Sequence, residues 1–293
     1  MYYRRKVLLA LLEAFGGRLG KTDCEKLLFL FCQTFQRNYY DFFPYQFGGF
    51  SLVSYYDKNV LANNGFLNDE DDFVLATEES FLAQLKPEDK KALGILVNQT
   101  LERGDALIKK IYLEYPYFAL KSRIATRLLD TEEKKWISTF WNLDNRPCLF
   151  TLGYEGLTID AFLNKLIANN IHALVDVRNN PFSMKYGFSQ PGFRNHVERA
   201  GVHYDHIPQL GIPSELRKGL GTKAAYASLF TYYEKNILPE NLSYIEKIKQ
   251  IIQDYSRVAL TCFESDYHFC HRHKITEYLH KLQRFDIKIS HLN

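Results

Sequence analysis

Two apolar runs in the second half of the chain end in residues able to do chemistry. They are Ala173-Leu-Val-Asp176-Val-Arg178-Asn179-Asn180-Pro181 and Val258-Ala-Leu-Thr-Cys262-Phe-Glu264-Ser-Asp266, the second followed by Cys270-His271-Arg272. A short apolar run that stops at acid, Arg, Asn and Pro reads as a buried strand opening into a loop, and open α/β sheets bind ligands at that end. Two such ends gather Asp176, Arg178 and Glu264 around one crevice. Paired carboxylates suit hydrolysis through an oxocarbenium-like transition state, one stabilising the sugar cation or activating water while another protonates the leaving group. Asp176, Glu264 and Arg178 are therefore the expected catalytic residues. The competing reading is a purely structural Asp176–Arg178 ion pair, since a buried carboxylate needs a partner.

Around them lie the expected substrate contacts. Thr151-Leu-Gly153-Tyr154-Glu155-Gly156 falls where a strand turns into a helix; a Gly there lets a ligand approach the backbone, and the helix start offers amides to an anion. The stretch has neither G-x-G-x-x-G spacing nor a Lys, which excludes a dinucleotide fingerprint and a phosphate loop. The segment after Arg178, carrying Asn179, Lys185 and Phe188, is too long for a plain connection and is expected to bind. His271 is placed to orient Glu264 or bind a phosphate, and Arg272 to clamp an anion. Cys262, His268, Cys270, His271 and His273 invite a zinc reading, but their spacing matches no standard ligand pair. The site is read as free of metal and cofactor, with Cys270 a packed residue.

The elements that must position these groups follow from periodicity. Strands at 149–152, 172–177 and 257–262 interleave with helices near 158–168, 222–235, 241–254 and 270–283, which predicts a Rossmann-like α/β domain with a parallel sheet. The first half reads as mainly helical and winged-helix-like. A helix ends at Gly16-Gly17, a capping box Thr22-Asp-Cys-Glu25 opens a second, Ser51 caps a third, and Asn63-Asn-Gly65 leads into a hairpin. Charged helical sequence continues to about 141, and polar residues from Asn142 to Pro147 mark a boundary. The expected domains are 1–142, for nucleic-acid or partner binding, and 147–293, carrying the site.

Composition narrows the class. Five scattered cysteines argue against a disulfide framework and for a reducing cytoplasm, and no run reaches the ~18 apolar residues a membrane span needs. A net charge of +3 permits a polyanionic partner without requiring one. The 22 Phe and 20 Tyr, including Asn38-Tyr-Tyr-Asp-Phe-Phe-Pro-Tyr45 and Ser54-Tyr-Tyr56, could stack on bases, although core packing is the favoured reading of such residues.

Thr151-Leu-Gly-Tyr-Glu, Val175-Asp-Val-Arg-Asn…Pro, Tyr204-Asp-His206-Ile-Pro-Gln-Leu-Gly211, and Glu264 with Cys270-His-Arg272 together resemble the domain of unknown function 488 family over about 149–285. This chain departs from that pattern in the extended Ser-Asp-Tyr-His-Phe between Glu264 and Cys270. The resemblance implies a Rossmann-like fold and no particular activity. Joined to a winged-helix-like half, the carboxylates point to a nucleic-acid hydrolase, a DNA glycosylase-like N-glycosidase releasing a modified or extruded base, with a role in genome defence or repair. The alternatives are a non-catalytic nucleic-acid or ligand sensor and a phosphoester or nucleotide hydrolase.

Overall fold

A computed structural model describes residues 1–141, 143–218, 220, 222–282 and 287–292. The chain forms two units, Met1–Trp141 and Asn142–Asn293. Asn142, at the expected boundary, and Gln283, at the expected end of the last helix, lie outside the described residues.

The first unit is helical. Its elements are α1 (Tyr3–Ala14), β1 (Arg18–Leu19), α2 (Lys21–Thr34), β2 (Phe43–Tyr45), β3 (Gly48–Phe50), α3 (Leu52–Asn63), β4 (Phe73–Val74), α4 (Pro87–Gln99), α5 (Gly104–Glu114), α6 (Ala125–Leu128) and α7 (Thr131–Ser138). Helix α1 stops where Gly16 and Gly17 take φ of +93° and +82°, and the Gly17 amide closes the turn on the Leu12 carbonyl. Ser51 caps α3 by accepting from the Ser54 amide. A β2–β3 hairpin separates α2 from α3, and the expected wing is reduced to the two-residue β1–β4 ladder and one bridge, Leu67 to Leu75. The described residues do not establish a winged helix.

The expected capping box is not formed. Helix α2 begins at Lys21, with Gly20 at its cap and no side-chain cap bond. Glu25 turns inward instead, its carboxylate accepting from the Ser51 amide at 2.6 Å and the Ser54 hydroxyl at 2.8 Å, and burial pushes its pKa up to about 7. The capping pattern misleads because the real partners of Glu25 lie on α3, distant in sequence. Glu25→Ala strips the acceptor from two buried donors, an expected loss of about 1–3 kcal/mol in chemical denaturation.

Most of the aromatic run is core. Tyr40, Phe42 and Phe43 are buried, and Phe29 meets Phe42, Tyr115 and Phe118 edge to face. Basic residues here are often paired internally: Arg4 and Arg5 with buried Asp57, Lys109 with Glu133, Lys110 with Glu102 and Arg127 with Asp105.

The second unit holds β5 (Cys148–Gly153), α8 (Ile159–Ala168), β6 (Ala173–Asp176), α9 (Gly192–Arg199), β7 (His203–His206), α10 (Lys223–Tyr232), α11 (Leu238–Glu240), α12 (Leu242–Tyr255), β8 (Arg257–Cys262), α13 (Arg272–Lys281) and β9 (Lys288–Leu292). The five strands form a parallel sheet in the order β7-β6-β8-β5-β9, a Rossmann-like arrangement. Strands β5, β6 and β8 are buried at every residue, which is why they read as continuous apolar runs. Leu149, Val175, Val258 and Leu260 share a core with Ile245, Ile248 and Ile252 of α12 and with Ile275 and Leu279 of α13. A second, aromatic cluster joins Phe162 of α8, Phe193 of α9, Phe188 and Tyr204. The long expected loop after β6 contains α9 and β7, and β9 adds an edge strand; neither strand is among those expected from periodicity. All five cysteines are free, and among the described residues no helix is long and apolar enough to cross a membrane.

Candidate active site

The carboxyl ends of β5, β6 and β8 converge as expected for a ligand crevice. A cavity of about 440 Å³ opens there, walled by Tyr154, Arg178, Asn179, Phe182, Arg217, Cys262 and Phe263 among others, and a second of about 260 Å³ is lined by Glu264, His271 and again Arg217.

Asp176, the last residue of β6, does not line either cavity. It is fully buried, and its carboxylate accepts from the backbone amide and from Nε and Nη2 of Arg178, and from the Tyr204 hydroxyl at 2.7 Å. Arg178 reaches Asp176 at 2.6 Å, donates through Nη1 to the Tyr154 hydroxyl and the Phe188 carbonyl, and lies against the rings of Tyr154 and Phe193. Burial works against the Arg178 charge, but Asp176 and Tyr154 outweigh it and hold the guanidinium above its ordinary range. This is the geometry of a closed ion pair that pins the loop after β6.

Several other expected contacts also serve the scaffold. Gly153 cannot accept a side chain because a Cβ there would stand 1.8 Å from the Glu264 carbonyl oxygen; what approaches this backbone is the β8 turn. Gly153→Ala must push that turn aside, with an expected loss of about 1–3 kcal/mol and a displaced Glu264, readable by thermal unfolding. Glu155 holds the same turn by accepting from the Ser265 amide and hydroxyl. Arg272 is fully buried and donates to the carbonyls of Glu264 and Ser265, so its guanidinium clamps the turn from below. Lys185 donates to the Tyr154 carbonyl, and Phe188 stacks on Tyr154 at 4.4 Å. Asn179 lines the cavity while donating to the Pro208 carbonyl. A Cβ on Gly211 would meet the Asn179 amide nitrogen at 2.1 Å, so the loops following β6 and β7 touch through their backbones.

Glu264 is the expected carboxylate that does reach open space. Its side chain is 19% exposed and pairs with Arg217 at 3.2 Å. Burial raises its pKa, and the neighbouring Cys262 raises it further. The Cys262 thiol lies 3.3 Å from Glu264 Oε2; a hydrogen bond from Cys270, aided by His271 and Arg217, holds it well below its ordinary pKa against the effect of burial. Cys270 moves the opposite way, pushed well up by burial and by its bond to Cys262, so the two thiols titrate as a pair. Arg217 carried no sequence signal: it sits on a short turn, Ser214–Arg217, with no motif around it.

His271 lines the smaller cavity, and both of its ring nitrogens have neighbours within the fold. Its Nε2 meets the Val177 carbonyl at 3.0 Å, and its Nδ1 stands 3.9 Å from the Sγ atoms of both Cys262 and Cys270. His268 is turned away, paired with Asp266 on the exposed surface.

A parallel sheet with its crevice at the carboxyl ends of the strands defines a Rossmann-like α/β domain. Residues 158–279 match the family described as "Domain of unknown function DUF488", the family that the sequence resembles. The match takes in Asp176, Arg178, Glu264, Cys270 and His271 and leaves out Gly153, Tyr154 and Glu155. No curated protein and no solved structure matches the chain.

Proposed function

We propose that the second unit is a hydrolase acting on nucleic acid, most specifically DNA, cleaving an N-glycosidic bond to release a nucleobase. The observation that carries this reading is Glu264: a carboxylate held by Arg217 where two cavities adjoin, beside aromatic walls. A negative charge fixed in such a place favours the oxocarbenium-like transition state of glycosidic cleavage. The cavity volume of about 440 Å³ suits a single extruded nucleoside, and the exposed Phe263 offers ring surface to a base. Phe182 and Met184, 70% and 97% exposed beside the opening, would stack against flanking nucleotides. Asp176 and Arg178 take a supporting part, fixing the loop that carries Asn179 and Phe182. The first unit is assigned to holding nucleic acid or a protein partner, and the setting to the cytoplasm, in defence or repair of the genome.

The test is incubation of the full chain with plain and base-modified DNA, then alkali treatment and mass spectrometry of the products. Free base with an abasic site is the expected result. Strand breaks without free base would replace the reading with phosphoester hydrolysis, and binding without any product would replace it with a sensor.

A further inference from the structure

The end of β8 and the start of α13 bring together a group of side chains that the mechanism above does not use. Cys262, Cys270 and His271 are each 1% exposed, and Sγ, Sγ and Nδ1 lie within 4.8 Å of one another. We propose that these three residues bind a zinc ion.

The distances suit that ion. Zinc lies about 2.3 Å from sulfur and about 2.0 Å from imidazole nitrogen, so a tetrahedral site separates S from N by about 3.6 Å. Both Sγ–Nδ1 separations here are 3.9 Å, requiring only a few tenths of an ångström of contraction. The imidazole is also oriented as a ligand would be. Its Nε2 is turned to the Val177 carbonyl, which fixes that nitrogen as the donor and leaves Nδ1 as the free lone pair facing both sulfurs. Charge balances as well. Two thiolates neutralise Zn²⁺, and the Glu264 carboxylate beside Cys262 is already matched by Arg217.

Three protein ligands leave one position unfilled, the arrangement of zinc sites that bind water or substrate. Cys262 lines the larger cavity, and His271 and Glu264 line the smaller one, so the three ligands border the crevice. The ligand atoms come from the end of β8 and from the two residues just before α13, eight and nine residues further on, which is why the spacing resembles no standard zinc pattern. The inference stands independently of the N-glycosidic reading: a zinc site here would serve any hydrolysis, or only hold the turn.

The experiment is elemental analysis of the full chain purified with zinc present and then freed of excess metal. About one zinc per chain is expected, with at least ~10-fold weaker retention in Cys270→Ser and His271→Ala and none of that loss in Cys148→Ser. If the ligand variants fail to fold, replacement of zinc by Co²⁺ in the unaltered protein decides the matter, because thiolate ligation gives an intense sulfur-to-cobalt charge-transfer band. Folded protein that takes up neither ion, or zinc retained undiminished in folded Cys270→Ser and His271→Ala, would overturn the proposal.

Discussion

Asp176→Ala is expected to destabilise the protein by about 3–5 kcal/mol, because it leaves the Arg178 guanidinium buried without its counter-charge. Every acceptor position of the carboxylate is occupied, by three donors of Arg178 and by Tyr204. The loss therefore extends to the loop that Arg178 ties through Tyr154 and Phe188. Replacing Arg178 by Met together with Asp176 by Leu should recover part of the loss, since an apolar pair strands no charge. Denaturant unfolding of the single and double variants checks this. A single variant as stable as the parent would mean that the pair carries no structural weight.

Glu264→Gln should do the reverse, sparing the fold and abolishing turnover. The Arg217 partner is partly exposed, so losing the ion pair is expected to cost less than ~1 kcal/mol. Losing a charge from the transition state should lower base release at least ~100-fold with little change in the midpoint of thermal unfolding. An unchanged release rate would remove Glu264 from the chemistry. Comparing the two variants separates a residue that builds the crevice from one that works in it.

The parts of this architecture that could be read from the chain are those where one residue pattern admits one structure. Strands β5, β6 and β8 announce themselves because both of their faces are covered. Strand β7, His-Tyr-Asp-His, and β9, Lys-Ile-Ser-His-Leu, are sheet edges with half-exposed positions, and their polar residues look like loop. Asp176, Arg178 and Glu264 were recognisable as strand-end charges, yet sequence could not say which carboxylate would be sealed and which left open. That depends on Tyr204, 28 residues beyond Asp176, and on Arg217, 47 residues before Glu264. The Glu25 mismatch has the same origin: a local pattern with a plausible local partner was overridden by a tertiary one.

The strand order carries a consequence for how the polypeptide is made. Strand β8, which joins β6 to β5, is the fourth of the five to leave the ribosome, and among the described residues β5 pairs only with β8 and β9. A nascent chain that has released β5, β6 and β7 therefore holds one lone strand and one pair, with no ladder between them. Sheet formation waits for synthesis to pass Cys262, and the second unit should then acquire its structure in one late cooperative step rather than strand by strand. Until that moment two of the most apolar strands in the molecule present unpaired edges, making chains stalled before Cys262 good candidates for chaperone capture.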